Sequence, residues 1–450
     1  MSNASVTPAY RNLSGTACVG GGLAGYGYRR PARLASPSRR ERPAERLFLW
    51  VLLLLLVACL FDFGRQAGGS GQLGDAGPMF TELKLILAFA LFRSWAIART
   101  CRRTGRTWLA LAALLAFLLG ASASILNSGA YPTPLGYWEQ IIGDSLLFVL
   151  ILVTIDGIRA FRFIARGLVF AGCAVSLVAL YPVAGAGTAA GTYFTMVNRL
   201  TLGSMNPNEY AYRLLALVVL SSYLLMTAGR IARPIYLSLT GLFVFSIALT
   251  YSRGAMIGAG IALALTALLL RAEKRSWLSV AVLVSVLALV TPFALVRSRL
   301  LTLEHLTSDH SALYRAQANA LAWQTIRSHP LLGVGGNEVN TRLFPGLGVH
   351  NGYLLLLCDG GLLEFVPIAF LVLAAFYELW RRLRAPAEKG YALLCRAMAI
   401  LLAVWAVVLN ATVVTYPFWI VAGLAWAVIL MPARQKEPHP TVPAAVLSNM

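Results

Sequence analysis

Charge is the scarcest ingredient of this 450-residue chain, with only 12% of its residues being Asp, Glu, Lys or Arg. A soluble domain carries about twice that share, so an ordinary water-soluble globule is excluded. Acidic residues are scarcer still, 18 against 38 basic, for a net charge of +20. There are only five histidines. The six cysteines (Cys18, Cys59, Cys101, Cys173, Cys358 and Cys395) form no CxxC and mostly lie in apolar runs, which excludes a disulfide framework or a cysteine metal knot. No Walker-type phosphate loop is present, so nothing suggests a nucleotide cofactor.

What is abundant is apolar sequence: 58% of the chain, at a mean hydropathy of +0.70. The apolar runs recur at intervals, and each is long enough for the ~20 residues of a bilayer-crossing helix. The expected class is therefore an all-α polytopic membrane protein of about twelve transmembrane helices. Spans are expected at 47–63, 79–97, 107–126, 141–158, 161–183, 209–229, 234–251, 254–270, 277–296, 350–379, 391–411 and 413–431. Residues 1–46 form a basic arm, expected to be disordered, with no obvious signal peptide. The transmembrane domain is expected over 47–431 and a tail over 432–450.

The basic residues explain themselves against this topology. Arg46 and the arm arginines, Arg99 to Arg106, Arg159 to Arg166, Arg230 and Arg233, Arg271 to Arg275, Arg381 to Lys389, and Arg434 with Lys436 all fall on one side. The opposite short loops hold little more than Arg65, Arg199 and Arg253. Cytoplasmic loops are the basic ones, so both termini are expected in the cytoplasm. The positive charge orients helices, and nucleic acid is not an expected partner; the lipid bilayer is.

One external loop, 297–349, is far longer than a helix connection needs. It contains a helical stretch near Ser311–Ser328, and His305, His310, His329 and His350 lie in it or at its edge. His305 and His310 are five apart, not on one helical face, and no metal is expected. Polar residues gather on the same external side: NRLTLGSMNPNEY at 198–210, TYSRGA at 250–255, YRAQANALAWQT at 314–325, HPLLGVGGN at 329–337 and HNGYLLLLCDGG at 350–361.

These segments resemble the O-antigen ligase and polymerase family of envelope glycan transferases over roughly residues 195–370. The pattern is Arg199 with Asn206-Pro207-Asn208, then Ser252-Arg253-Gly254, then Arg315, Trp323 and Gly333-Val334-Gly335, then His350-Asn351 and Asp359-Gly360. Glu364 and the long basic arm depart from it. The resemblance implies a type C glycosyltransferase architecture and a metal-independent, inverting enzyme without cofactor. It implies an undecaprenyl-pyrophosphate-linked glycan donor and a saccharide acceptor, either lipid A-core (a ligase) or a lipid-linked repeat unit (a polymerase). The site would face the periplasm of a bacterial inner membrane.

The implied chemistry is physically sensible. A departing pyrophosphate gathers negative charge, and guanidiniums bind phosphate oxygens through paired N–H groups. Arg253 and Arg315 are catalytic candidates in that role, with Arg199, Asn206, Asn208, Asn351 and Asp359 as candidate substrate-binding residues. His350 is a candidate base for the acceptor hydroxyl, or alternatively a cationic pyrophosphate ligand. Bland readings stand beside these: Asn208 is a natural helix cap, Arg213 can pair with Glu209 one turn away, and the glycines of 333–336 shape a turn. The rival function is a transporter or flippase for a lipid-linked saccharide, which would place its binding groups near the midplane and between internal repeats.

Overall fold

The computed structural model describes residues 43–61, 105–128, 133–184, 199–202, 205–269, 310–336, 349–384, 388–409 and 416–431. Among the described residues it is all-helical, with eleven helices: α1 (Pro43–Phe61), α2 (Gly105–Ser128), α3 (Thr133–Thr154), α4 (Ile158–Ala184), α5 (Pro207–Thr227), α6 (Arg233–Leu249), α7 (Arg253–Leu269), α8 (His310–Ser328), α9 (Gly352–Arg384), α10 (Lys389–Val408) and α11 (Tyr416–Leu430). Five of them (α2, α4, α5, α9 and α10) are long and apolar enough to cross a membrane, and α3, α6, α7 and α11 contain shorter apolar stretches. The polytopic helical class follows. The expected spans at 79–97 and 277–296, most of the basic arm and the 432–450 tail lie outside the described residues. The helix expected inside the long loop is α8.

Outward faces are apolar in a way water would not tolerate. Leu119 on α2 is 62% exposed and Leu373 on α9 66%, as suits side chains that meet lipid. The centre is α5, where every residue from Tyr210 to Met226 is buried. It packs against α4, α6, α7 and α10. Buried all round, α5 shows no amphipathic stripe, as a central span must.

The helix ends sort into two groups. At one end, Arg106 at the start of α2 pairs with Glu378 near the end of α9 at 2.8 Å. Arg162 on α4 donates to the Tyr223 hydroxyl on α5 at 3.4 Å. Arg382 donates to the Met431 carbonyl at 3.0 Å, just past α11. At the other end, the Leu200 N–H donates to the Leu249 carbonyl at 2.9 Å, and that of Gly352 to Leu409 at 2.7 Å. Arg213 reaches from α5 to the Leu60 carbonyl of α1 at 2.9 Å.

α9 is broken. Gly361 adopts φ 62 and ψ −158 inside it, which removes the bonds that Leu362 and Leu363 would make to residues four back. The turn after α8 replaces them. Leu362 N–H donates to Pro330 O at 2.9 Å and Leu363 N–H to Leu331 O at 3.2 Å. Conversely, Val334 N–H donates to Cys358 O at 2.9 Å and Gly335 N–H to Asp359 O at 3.0 Å. These four backbone groups at the break are thus satisfied, as non-helical backbone at a membrane requires. A side chain fits at neither crossing: a Cβ on Gly361 would lie 2.4 Å from the Leu331 carbonyl, and one on Gly333 2.4 Å from that of Asp359.

The helix expected over 350–379 is thus interrupted, with Asp359 two residues before the break. Before Gly361, Leu354 and Cys358 pack on Ala318 and Ala322 of α8. The outward apolar row begins only afterwards, at Leu362 and Leu363, and runs through Val366, Phe370, Leu373, Tyr377 and Trp380. Residues 362–384 rise about 35 Å at ~1.5 Å per residue, enough for ~30 Å of hydrocarbon.

Candidate functional site

Five segments meet at the second end: 199–202, the start of α5, the α6–α7 turn, the first turns of α8, and residues 349–351. Pro207 takes the first helical position of α5, where its missing N–H has no consequence. Asn206 is therefore the cap: its backbone is extended and its side-chain oxygen accepts the Asn208 N–H at 2.9 Å. This corrects the expectation that Asn208 caps the helix. Asn208 instead accepts from Arg199 Nη2 at 2.6 Å. Arg199 Nε donates to the Thr250 carbonyl at 2.7 Å, so this arginine joins α5 to the α6–α7 turn.

That turn is tight and strained. Tyr251 has φ 52, a left-handed conformation costing roughly 1–2 kcal/mol for a residue with a Cβ. The Ser252 N–H finds the Thr250 hydroxyl at 3.2 Å. Ser252 O then accepts from Met256 N–H at 2.9 Å, which opens α7 and makes half-buried Arg253 its first residue. The expected near-contact between spans at 251/254 is this turn. Tyr212, one helical turn on from Asn208, is buried. It lies beside Ser252 and within electrostatic reach of Arg315 and Arg199.

On α8, Arg315, Ala318 and Ala322 share one face. Both alanines are buried against α9, whereas Arg315 is exposed. Arg315 thus lies on the body-facing side of α8 at a place open to solvent. His350 lies within its electrostatic reach. Part of the imidazole surface is exposed, yet desolvation by the surrounding protein holds its pKa below the ordinary histidine value of 6.5. The positive charge of Arg315 lowers it further, and Glu209, in the first turn of α5, opposes both.

The remaining candidates have local structural duties. Asn351 caps α9, its side-chain oxygen accepting from Tyr353 N–H at 3.0 Å and Leu354 N–H at 3.2 Å. Asp359 is buried at the break, its carbonyl taking Gly335 N–H and the Ser124 hydroxyl of α2. It belongs to the joint of α2, α9 and the glycine turn, and Glu364 is fully buried just beyond it. Arg213 sits 4.0 Å from Glu209 while it holds α1. His310 opens α8, but its expected neighbours His305 and Asp309 lie outside the described residues.

Tyr212 and Thr250 escaped the sequence reading. Tyr212 was findable, since it stands four residues after Asn208 on the same helical face. Thr250 contributes a backbone carbonyl, for which side-chain identity gives no signal.

Fold and site together define a polytopic helical membrane protein whose candidate polar site is cationic and gathered at one end of the bundle. Residues 235–369 match the sequence model of the family described as O-antigen ligase. The match runs from α6 into α9. Arg253, Arg315, His350, Asn351 and Asp359 lie within the match; Arg199, Asn206 and Asn208 lie before it. No curated protein matches the chain.

Proposed function

We propose that this protein transfers a glycan from an undecaprenyl-pyrophosphate donor to a sugar hydroxyl at the periplasmic face of a bacterial inner membrane, crossing it about twelve times with both termini in the cytoplasm. The observation that carries the reading is the grouping of Arg315 and His350 with Glu209, Tyr212 and the turn that bears Arg253, in a chain with an O-antigen ligase domain. This group lies opposite the arginine-rich helix ends, and the basic ends are cytoplasmic by the charge rule.

In the proposed reaction His350 takes the proton of the acceptor hydroxyl as its oxygen attacks the anomeric carbon. The bond from that carbon to the pyrophosphate oxygen breaks, and its electron pair leaves with the pyrophosphate. Arg253 and Arg315 neutralise the growing charge, a kind of assistance worth ~3 kcal/mol per group. Attack opposite the leaving group inverts the anomeric centre, and no metal is required. A lowered pKa keeps His350 neutral near pH 7, which favours the base over the cationic ligand.

The test is reconstitution in liposomes with undecaprenyl-pyrophosphate glycan and either a lipid A-core or a lipid-linked repeat-unit acceptor, with and without EDTA. Product formation that EDTA leaves intact and that Arg253→Ala and His350→Ala abolish is expected. The acceptor consumed separates ligase from polymerase. Movement of the lipid-linked sugar across the bilayer without bond formation would overturn the proposal in favour of a flippase.

A further inference from the structure

At the arginine-rich end of the bundle, α2 and α9 close on one carboxylate. Glu378 is buried, and one of its oxygens takes Arg106 Nε from α2 at 2.8 Å and Arg381 Nη2 from α9 at 3.1 Å. Two guanidiniums thus share a single negative charge. A third, Arg384, lies over the Trp380 ring, its Cζ 4.7 Å from the centroid. Three arginines against one glutamate leave this corner strongly cationic, and Arg381 and Arg384 are exposed.

These groups end a stripe. Val366, Phe370, Leu373, Tyr377, Trp380 and Arg384 follow one another at alternating steps of four and three, so they share one side of α9, with Arg381 beside them. All are exposed. From Leu373 to Arg384 the helix rises about 16 Å, roughly one leaflet of a ~30 Å hydrocarbon core. The stripe runs from aliphatic to aromatic to cationic, the order of acyl chain, interface and phosphate in a phospholipid. Aromatic rings favour the headgroup level, and guanidiniums bind phosphate oxygens through paired N–H groups.

We propose that this stripe, with Arg106 beside it, binds an anionic phospholipid, its phosphate at Arg381 and Arg384 and an acyl chain along Leu373 and Phe370. Setting the orientation of a helix requires only basic residues near its end. It does not require a buried carboxylate that gathers two of them, or aromatic rings in register with a third. The continuous apolar row selects a bilayer lipid over a free phosphate ion. The site lies at the opposite end from the transfer group and is independent of that reading.

The experiment measures lipid retained by the full-length protein in detergent, by native mass spectrometry, after titration with phosphatidylglycerol or with phosphatidylcholine of the same acyl chains. Wild type should retain phosphatidylglycerol well above phosphatidylcholine. Arg381→Gln and Arg384→Gln should each weaken phosphatidylglycerol retention about five-fold and leave phosphatidylcholine unchanged. Arg166→Gln removes an exposed charge from α4 and should change neither. Equal retention of the two lipids, or an unaffected Arg384→Gln variant, would overturn the site. So would an equal loss in Arg166→Gln, which would mean diffuse surface charge, or displacement of the lipid by inorganic phosphate, which would mean a free-anion site. If Arg381→Gln lowers the lipid-free melting temperature, Arg384→Gln decides, because it leaves both Glu378 pairs in place.

Discussion

Single side chains set the charge state of the site. As the base of the proposed transfer His350 has to be neutral, so activity should fall as pH drops through its pKa, which is lowered from the ordinary 6.5. Glu209 raises that pKa and Arg315 lowers it. Glu209→Gln should therefore move the acid limb of kcat/KM to lower pH, and Arg315→Gln should move the limb of the residual activity to higher pH. Opposite or absent displacements would detach His350 from proton transfer. At the far end of the bundle, Arg382 donates to the Met431 carbonyl at 3.0 Å and also to Tyr391 and Ile429. It satisfies orphan carbonyls at the end of α11. Arg382→Gln should lower stability by ~1.5–3 kcal/mol, the worth of charged hydrogen bonds, seen as a lower melting temperature in detergent.

Elements carry the shape of the site. The break in α9 is closed by the turn after α8, so the two move as one joint. Gly361 and Gly333 both have positive φ and a carbonyl 2.4 Å from a would-be Cβ. Gly361→Ala and Gly333→Ala should each cost at least ~2 kcal/mol and speed hydrogen exchange in α8 more than in α5. Equal exchange in both helices would mean that the turn does not hold α8. The apolar runs, their lengths and α8 were legible in the sequence, because hydropathy and helical period are local properties. The break was not. HPLLGVGGN and LCDGG each read as a glycine-containing stretch, and only their pairing across the fold shows that one repairs the other. The cap of α5 was missed by two residues for a smaller reason: two asparagines flank Pro207, and the proline decides between them.

At the scale of the molecule, the two ends of the bundle differ in chemistry. One joins helices through Arg106, Arg162 and Arg382; the other gathers the candidate site. A cysteine placed at exposed Gln324 on α8 should react with a membrane-impermeant maleimide in intact spheroplasts, above the wild-type background. One placed at exposed Arg384 should react only after permeabilisation. The reverse pattern would place the site in the cytoplasm and remove lipid-linked periplasmic donors from consideration.

Composition and the placement of arginine were enough to establish a many-helix membrane protein and to propose its orientation, because transfer into lipid is a sum over residues that needs no knowledge of neighbours. The residue types suited to a pyrophosphate were also visible, since charge and donor geometry belong to the side chain. Which asparagine caps α5 and where α9 breaks were decided by the folded structure. The hydrogen bonds across that break join segments tens of residues apart, and those partners are chosen by packing.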